Sequence, residues 1–494
     1  MMLHGPRTKV LWLGGIPSPE WATECSIRHL HLEVVTGDLN PQQLATGKGV
    51  IVAVDQGSVD SLLSDAVRVL LSEATLHGLP GFVSCTVDDA TEVAATLQRS
   101  RLRPTIEIMI RGKELGAIEA IARCKHEPPA NAGLKLQGDD QLSREERILL
   151  RRAFTDCTSV KLVKQTTGTA KVFCAFATLE HSRAGPIPLP FFVKFDKAHR
   201  IRLELKNYQE CTTLHIPFNQ RPNLDINRCL IGQPIGIIVG NFVEQSESLQ
   251  EVVDRGAGRS ALHSLFEGAL RGWRRQAFYD ARYTREANIL VGMDRARPST
   301  YVLRRQDRLL KRQRQLGPSS KSFEQLEGMM ASQPPISFRS GVIHGDLHGN
   351  NVRVTGNDAI LIDFASIADG ALTADPAALD VSLFLDTKTV KGNDWVELAD
   401  ASFAIDALIG STPPPRPEHA AANLLEAIHY VRQMAANVTL TPYEYPLVVA
   451  LQLIRKSSYS GQDEEQEQRR YHAYRLADRI VSDVSERLSR QSAA

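Results

Sequence analysis

Paired cysteines are absent from this sequence. Its seven cysteines (Cys25, Cys85, Cys124, Cys157, Cys174, Cys211 and Cys229) include no CxxC, and their number is odd. Neither a disulfide framework nor a zinc ligand set is legible, which fits a reducing compartment. No stretch approaches the ~18 apolar residues of a spanning helix. The apolar run within MMLHGPRTKVLWLGGIP is too short for a signal peptide. An excess of one charge is missing as well. A net charge of +1 argues against a global electrostatic grip on nucleic acid or membrane, so any such preference must come from a local patch. Internal repeats and long low-complexity tracts are also absent. The expectation is a soluble, cytoplasmic protein with no membrane partner.

What is present suits a globular chain. Its 494 residues, 43% hydrophobic and 23% charged, can bury a sizeable core without metals or disulfides. From Lys9 to about Lys125, short apolar runs (Val10–Leu13, Leu32–Val35, Val50–Val54, Phe82–Cys85, Ile106–Ile110) read as buried parallel strands. Asp60–His77 and Ala90–Arg101 carry apolar residues at helical spacing between them. Strands alternating with helices imply a doubly wound α/β domain over 1–125, similar in topology to a receiver of the flavodoxin type. Its chemistry is poor. A receiver needs an acidic pair after the first strand, where this chain has Gly14 and Gly15. Asp55 ends the third predicted strand, where the phospho-accepting residue would sit, yet a degenerate interaction module is the better expectation.

Residues 126–141 form a polar linker with Pro128 and Pro129, which suggests independent folding on either side. Ser143 with Glu146 is a capping box that opens a helix. Val160–Val163, Lys171–Leu179 and Pro190–Phe195 then read as antiparallel strands, a helix follows from about Leu203 to Leu214, and Pro234–Val239 is another strand. After Glu244 the pattern is mostly helical.

The chemistry is concentrated in residues 341–364, GVIHGDLHGNNVRVTGNDAILIDF. Phosphoryl transfer needs a carboxylate to orient the acceptor hydroxyl and divalent cations to neutralise the triphosphate. Hard cations take carboxylate and amide oxygens. Asp346 and Asn351 share one short loop, with Gly345 and Gly349 permitting tight turns. Ile360–Ile362 is an apolar strand that would deliver Asp363 beside that loop, with Val352–Val354 as its hairpin partner. His344 and His348 stand four apart, but the intervening glycines argue against a helical metal pair, so both are expected to brace the loop.

This pattern resembles the aminoglycoside phosphotransferase and choline kinase branch of the protein-kinase-like superfamily, in which the loop reads roughly HGDLHxxN and the metal element IDF or IDW. His344, Gly345, Asp346, Leu347, His348, Asn351, Ile362, Asp363 and Phe364 match. The resemblance implies a bilobal phosphotransferase domain, an α+β N-lobe over 142–245 and a mostly helical C-lobe over 246–494. It implies Asp346 as catalytic base or acceptor-orienting group, Asn351 and Asp363 as metal ligands, and Asp380 in DPAALD as structural support. ATP or GTP with Mg2+ would be the cofactors, and an unidentified hydroxyl the acceptor. In the N-lobe, Lys194 lies inside the strand FFVKF, where an unpaired charge would be costly. By the resemblance it holds the nucleotide phosphates, with Glu204, or failing that Glu210, as its partner. Gly168 and Thr169 in QTTGTA would cover the phosphates, although a plain hairpin turn explains the same residues. Asn241 and Phe242 in GNFVEQ would hold adenine through backbone groups. The architecture is also similar to the phosphotransferase-like ternary complex associated domains of bacterial signalling and conflict systems.

One departure is a basic helical insert at about 271–335. Residues 271–314 hold thirteen Lys or Arg against four Asp or Glu, and Arg304, Arg308, Lys311 and Arg312 fall on one helical face. That face is either solvated or suited to an anionic or protein partner. The N-terminal domain is the other candidate partner surface. The competing function is a nucleotide-binding, pseudokinase-like regulatory scaffold. The presence of Asp346, Asp363 and Lys194 favours activity.

Overall fold

The computed structural model describes residues 7–54, 65–102, 105–124, 128–165, 171–181, 185–241, 246–410 and 421–493. The chain divides into two compact units, Met1–Leu203 with Asn223–Phe242 and Glu204–Pro222 with Val243–Ala494.

In the first unit, β1 (Lys9–Leu13), β2 (His31–Val34), β3 (Gly47–Ala53), β4 (Gly81–Cys85) and β5 (Ile106–Ile110) form a parallel sheet in the order β2-β1-β3-β4-β5. This is the doubly wound order, whose connections reverse direction between β1 and β3. Both sheet faces are buried, which explains the continuous apolar strands: Leu11, Val50, Val52 and Val83 pack on one side, and Val10, Trp12, Ile51 and Phe82 on the other. Asp55 lies outside the described residues.

The second sheet of this unit comprises β6 (Lys135–Gln137), β7 (Cys157–Gln165), β8 (Lys171–Leu179), β9 (Leu189–Lys197), β10 (Leu230–Ile231) and β11 (Ile235–Asn241), in the order β10-β11-β9-β8-β7-β6. Its pairings are antiparallel except β6 with β7. Helix Arg144–Ala153 opens on the Ser143/Glu146 capping box, as the spacing predicts. The next helix starts at Ala198, about one turn earlier than the sequence suggests, because β9 runs directly into it.

Packing crosses the boundary at Pro128 and Pro129. Leu76, from helix Asp65–Leu76 of the first layer, joins the cluster of Leu149, Phe154, Val193 and Ile237. Arg152 is fully buried and donates to the carbonyls of Leu76 and, at 3.1 Å, Pro128. Arg144 grips Glu73 through two bonds of 2.6 and 2.9 Å. The apolar end of one helix and a buried guanidinium tie the layers together, and neither is visible in linker composition.

The second unit is mostly helical around six short strands: β12 (Glu247–Ser248), β13 (Thr284–Ala287), β14 (Ile336–Ile343), β15 (Val352–Thr355), β16 (Asp358–Leu361) and β17 (Ala368–Ala371). Helices Ala374–Asp386 and Glu444–Ser457 are buried along nearly their whole lengths. The expected basic insert is not helical throughout. It contains β13, paired with β14, and the 3-10 stretch Ile289–Ala296, besides helices Leu303–Leu316 and Phe323–Ala331. A four-residue strand offers too few positions for period-two patterning to reveal.

The basic helix Leu303–Leu316 turns part of its expected basic face inward. Arg312 is buried and donates to the carbonyls of Ser457 and, at 2.7 Å, Tyr459, and it pairs with Glu467 at 3.0 Å. Arg308 donates to the Ser458 carbonyl at 3.3 Å. Both therefore satisfy the orphan carbonyls and negative dipole end of helix Glu444–Ser457. Only Arg304 and Lys311 of the expected basic face are solvent-exposed.

Candidate functional site

The strand pairings bring two loops to one place. β14 leads into the 344–351 loop and β15 leaves it. β16 leads into 362–367 and β17 leaves it. Because β14 pairs with β17 and β15 with β16, Ile343 sits opposite Ala368 and Val352 opposite Leu361. The loops are stitched directly as well. His344 Nε2 lies 2.9 Å from the Ile362 carbonyl, and the Ile362 N–H donates to the Asn351 carbonyl at 3.0 Å. Gly345 has φ +73°, and a Cβ there would stand 2.3 Å from the Ser366 carbonyl. Only glycine allows both the left-handed turn and this approach. Asp363 is itself left-handed, at φ 65°, strain of about 1–3 kcal/mol that clusters at functional sites.

Within this frame, Asn351 Nδ2 donates to the Asp346 carbonyl at 2.9 Å, which ties the two ends of the loop together. Among the described residues, no group of three or more His, Cys, Asp or Glu side chains is arranged for a metal ion. One amide and one carboxylate, Asn351 and Asp363, suit Mg2+ instead, which is commonly held by one or two side chains plus waters and substrate phosphates.

Asp346 accepts from Arg455 Nη2 at 2.9 Å, and the same guanidinium donates to the Gly345 carbonyl at 2.9 Å. Burial would raise its pKa, but Arg455, His348 and Lys456 outweigh this and hold it at about 2. His348 Nε2 is 4.0 Å from Asp346, and burial lowers its pKa to about 4. A neutral imidazole makes no ion pair there at pH 7. His344 is fully buried against Phe364, with ring centres 6.0 Å apart, and its Nδ1 has no hydrogen-bond partner.

Sequence reasoning singled out Asp380, which is fully buried and held by Arg432 at 2.7 Å and the Tyr445 hydroxyl at 2.8 Å. The loop is held by a different residue of the same element. Asp375 accepts from the His344 and Gly345 N–H groups at 2.7 and 3.0 Å, and burial raises its pKa. Arg455 and Asp375 were both missed, since neither has a neighbour in sequence that announces its partner. Asn207, which donates to the Phe364 carbonyl at 2.8 Å, and Tyr208, packed on the Phe364 ring, were missed for the same reason.

Lys194 lies in β9 opposite Val172 and Ile238, on the sheet face away from Val193 and Phe195, and is 7% exposed. Glu204, in the second unit, is 5% exposed. Glu210 is largely exposed and reaches Lys206 at 3.9 Å, so Glu204 is the buried acid of the two. Asn241 ends β11, exposed. Gly168, Thr169 and Phe242 lie outside the described residues.

Residues 298–442 match the family model described as Ternary complex associated domain 9. No curated protein matches the chain. Among solved structures, the chain is similar to amicoumacin kinase hAmiN in complex with AMP-PNP, Ca2+ and Ami, with 13% identity over 65% of this chain and 88% of that one, TM-score 0.35. It is similar to the choline kinase of Cryptosporidium parvum Iowa II, with 14% identity over 66% and 91%, TM-score 0.33. A choline/ethanolamine kinase family protein from Mesorhizobium loti is 12% identical over 68% and 95%, TM-score 0.31. The family model falls in the group that the chain's architecture resembles. No described helix is long and apolar enough to cross a membrane.

Proposed function

We propose that the chain is a phosphotransferase that moves the γ-phosphoryl group of ATP or GTP to a hydroxyl of a small-molecule or protein acceptor. The observation that supports this reading is the double stitching of the 344–351 loop, which carries Asp346 and Asn351, to the 362–367 loop, which carries Asp363. Asp346 orients the acceptor hydroxyl, whose oxygen forms the new P–O bond while the bond to the β-phosphate oxygen breaks and the nucleoside diphosphate leaves. Asp346, at a pKa of about 2, is a poor proton acceptor, so it positions the hydroxyl and the proton departs late, to phosphate or solvent. Mg2+, when bound, would neutralise the triphosphate from Asn351 and Asp363. Lys194 is assigned to the nucleotide phosphates. Asn241 is assigned to the adenine edge.

The test is Mg2+-dependent nucleotide binding by calorimetry together with transfer of labelled phosphate to protein or small molecules in cell extract. Asp346→Asn is expected to abolish transfer and leave nucleotide affinity nearly unchanged. Asp363→Asn is expected to weaken metal-nucleotide binding as well, because it removes a charged ligand. Equal effects of the two on binding would refute these roles. The second reading, a nucleotide-binding regulatory module, is favoured by the Arg455 grip on Asp346. It predicts binding without transfer to any acceptor.

A further inference from the structure

The basic insert reaches the carboxylate that would receive the acceptor hydroxyl. Arg455 divides its guanidinium between the Gly345 carbonyl and Asp346 Oδ1, each at 2.9 Å. Among the described residues no hydrogen bond reaches Asp346 Oδ2, which His348 Nε2 approaches only to 4.0 Å. One oxygen is anchored and the other is left for the hydroxyl. The anchor itself sits in the last turn of helix Glu444–Ser457, where backbone carbonyls lack partners within the helix. Whatever fixes that turn therefore also fixes Asp346.

Arg305 fixes it, from helix Leu303–Leu316 of the insert. Its Nε donates to Ser458 Oγ at 2.8 Å, and that hydroxyl donates onward to the Arg455 carbonyl at 2.6 Å. Its Nη2 reaches the same carbonyl at 3.4 Å. The guanidinium is stacked between the rings of buried Tyr301 and of Tyr459, 4.1 and 4.5 Å from their centres. Two flat contacts and a planar fork hold the head group in one orientation. The Tyr301 hydroxyl donates in turn to the Ala296 carbonyl at 2.6 Å, which anchors the stack on the insert. Arg308 and Arg312 differ. They donate to the carbonyls of Ser457, Ser458 and Tyr459 and so cap the helix without touching Arg455.

We propose that Arg305 of the basic insert is a positioning residue for phosphoryl transfer, holding Asp346 in its reacting orientation through Ser458 and Arg455. The inference rests on the role of Asp346 given above. A carboxylate free to swing would face the hydroxyl for only part of the time, and a misplacement of ~1 Å can cost about a hundredfold in rate. The nucleotide is assigned to other residues, so its binding does not call on Arg305.

Initial rates of γ-phosphate release from Mg-ATP by the whole chain, to water and to the labelled product formed in cell extract, test this. Arg305→Ala should lower kcat by about tenfold or more and leave KM for ATP within about twofold of the wild type. Arg305→Lys keeps a charge between the rings but loses the planar fork, and should recover part of the loss. It also carries the comparison should Arg305→Ala fail to fold. Arg308→Ala loosens the same helix end and should keep kcat within about twofold of the wild type. In a chain that already carries Arg455→Met, Arg305→Ala should cost less than about twofold more, because the path is already cut. Unchanged kcat in both Arg305 variants, an equal loss in Arg308→Ala, or a loss that adds in full to Arg455→Met each overturns the proposal. So does a KM for ATP that rises as far as kcat falls. A wild-type chain that releases no γ-phosphate in either assay would strike the phosphotransferase reading, and this inference with it.

Discussion

Arg455 sets the character of Asp346. A carboxylate held at about 2 stays ionised throughout the physiological range and offers a constant acceptor to a hydroxyl. Phosphoryl transfer through a loose transition state asks for orientation more than for a strong base. Glu444 behaves in the opposite sense. It is fully buried, accepting from the Leu440 N–H and the Thr373 hydroxyl, both at 2.9 Å, and burial raises its pKa to about 7. The folded chain therefore binds this proton more tightly than the unfolded chain does. Stability should fall as pH rises from about 4 to about 7 and level off above, a difference on the order of 1–3 kcal/mol. Urea midpoints at pH 5 and pH 8 should differ for the wild type, and Glu444→Gln should remove most of that difference. An unchanged difference in the variant would assign the slope to other groups.

The elements around the loop carry their own predictions. Gly345→Ala meets both a left-handed backbone and the Ser366 carbonyl, and should cost about 1–3 kcal/mol and displace the two loops. Thermal unfolding and nucleotide affinity should fall together. Full retention of both would mean that the loops are not in contact. Helix Leu303–Leu316 offers an internal control. Arg312→Ala leaves the Ser457 and Tyr459 carbonyls without this donor and Glu467 without its ion-pair partner, and should lower Tm by several degrees. Arg304→Ala on the exposed side should stay within about 0.5 kcal/mol of the wild type. This element shows how far the sequence reached. Helical spacing marks the helix and its basic content, but which arginines turn inward depends on where helix Glu444–Ser457 ends, some 150 residues later in the chain.

Across the whole molecule, the two layers of the first unit are tied across the linker. Leu76 completes the core beneath the second sheet, and Arg152 finds its acceptors in residues 76 and 128. Deleting residues 1–138 should therefore leave an apolar gap and a buried, unsatisfied guanidinium, lowering Tm or solubility markedly. A fragment that unfolds as cooperatively and as high as the full chain would restore the linker as a true boundary. The doubly wound sheet is accordingly a structural part of the unit and not only a partner surface.

Local rules were sufficient for much of this protein. Period-two and apolar runs located the five parallel strands and β7, β8 and β9, because burial on one or both faces writes itself into consecutive residues. The order of His344, Gly345, Asp346, Asn351 and Asp363 marked the loop and its partner strand, because tight turns between short strands demand glycine and small polar residues at short spacing. The tertiary structure alone decided which charges meet. Asp346 with Arg455, the loop amides with Asp375, Arg152 with Leu76 and Arg312 with Ser457 each join residues 30 to 145 positions apart. An ion pair or a helix cap across such a distance leaves no periodic trace, since its geometry exists only after the helices have packed.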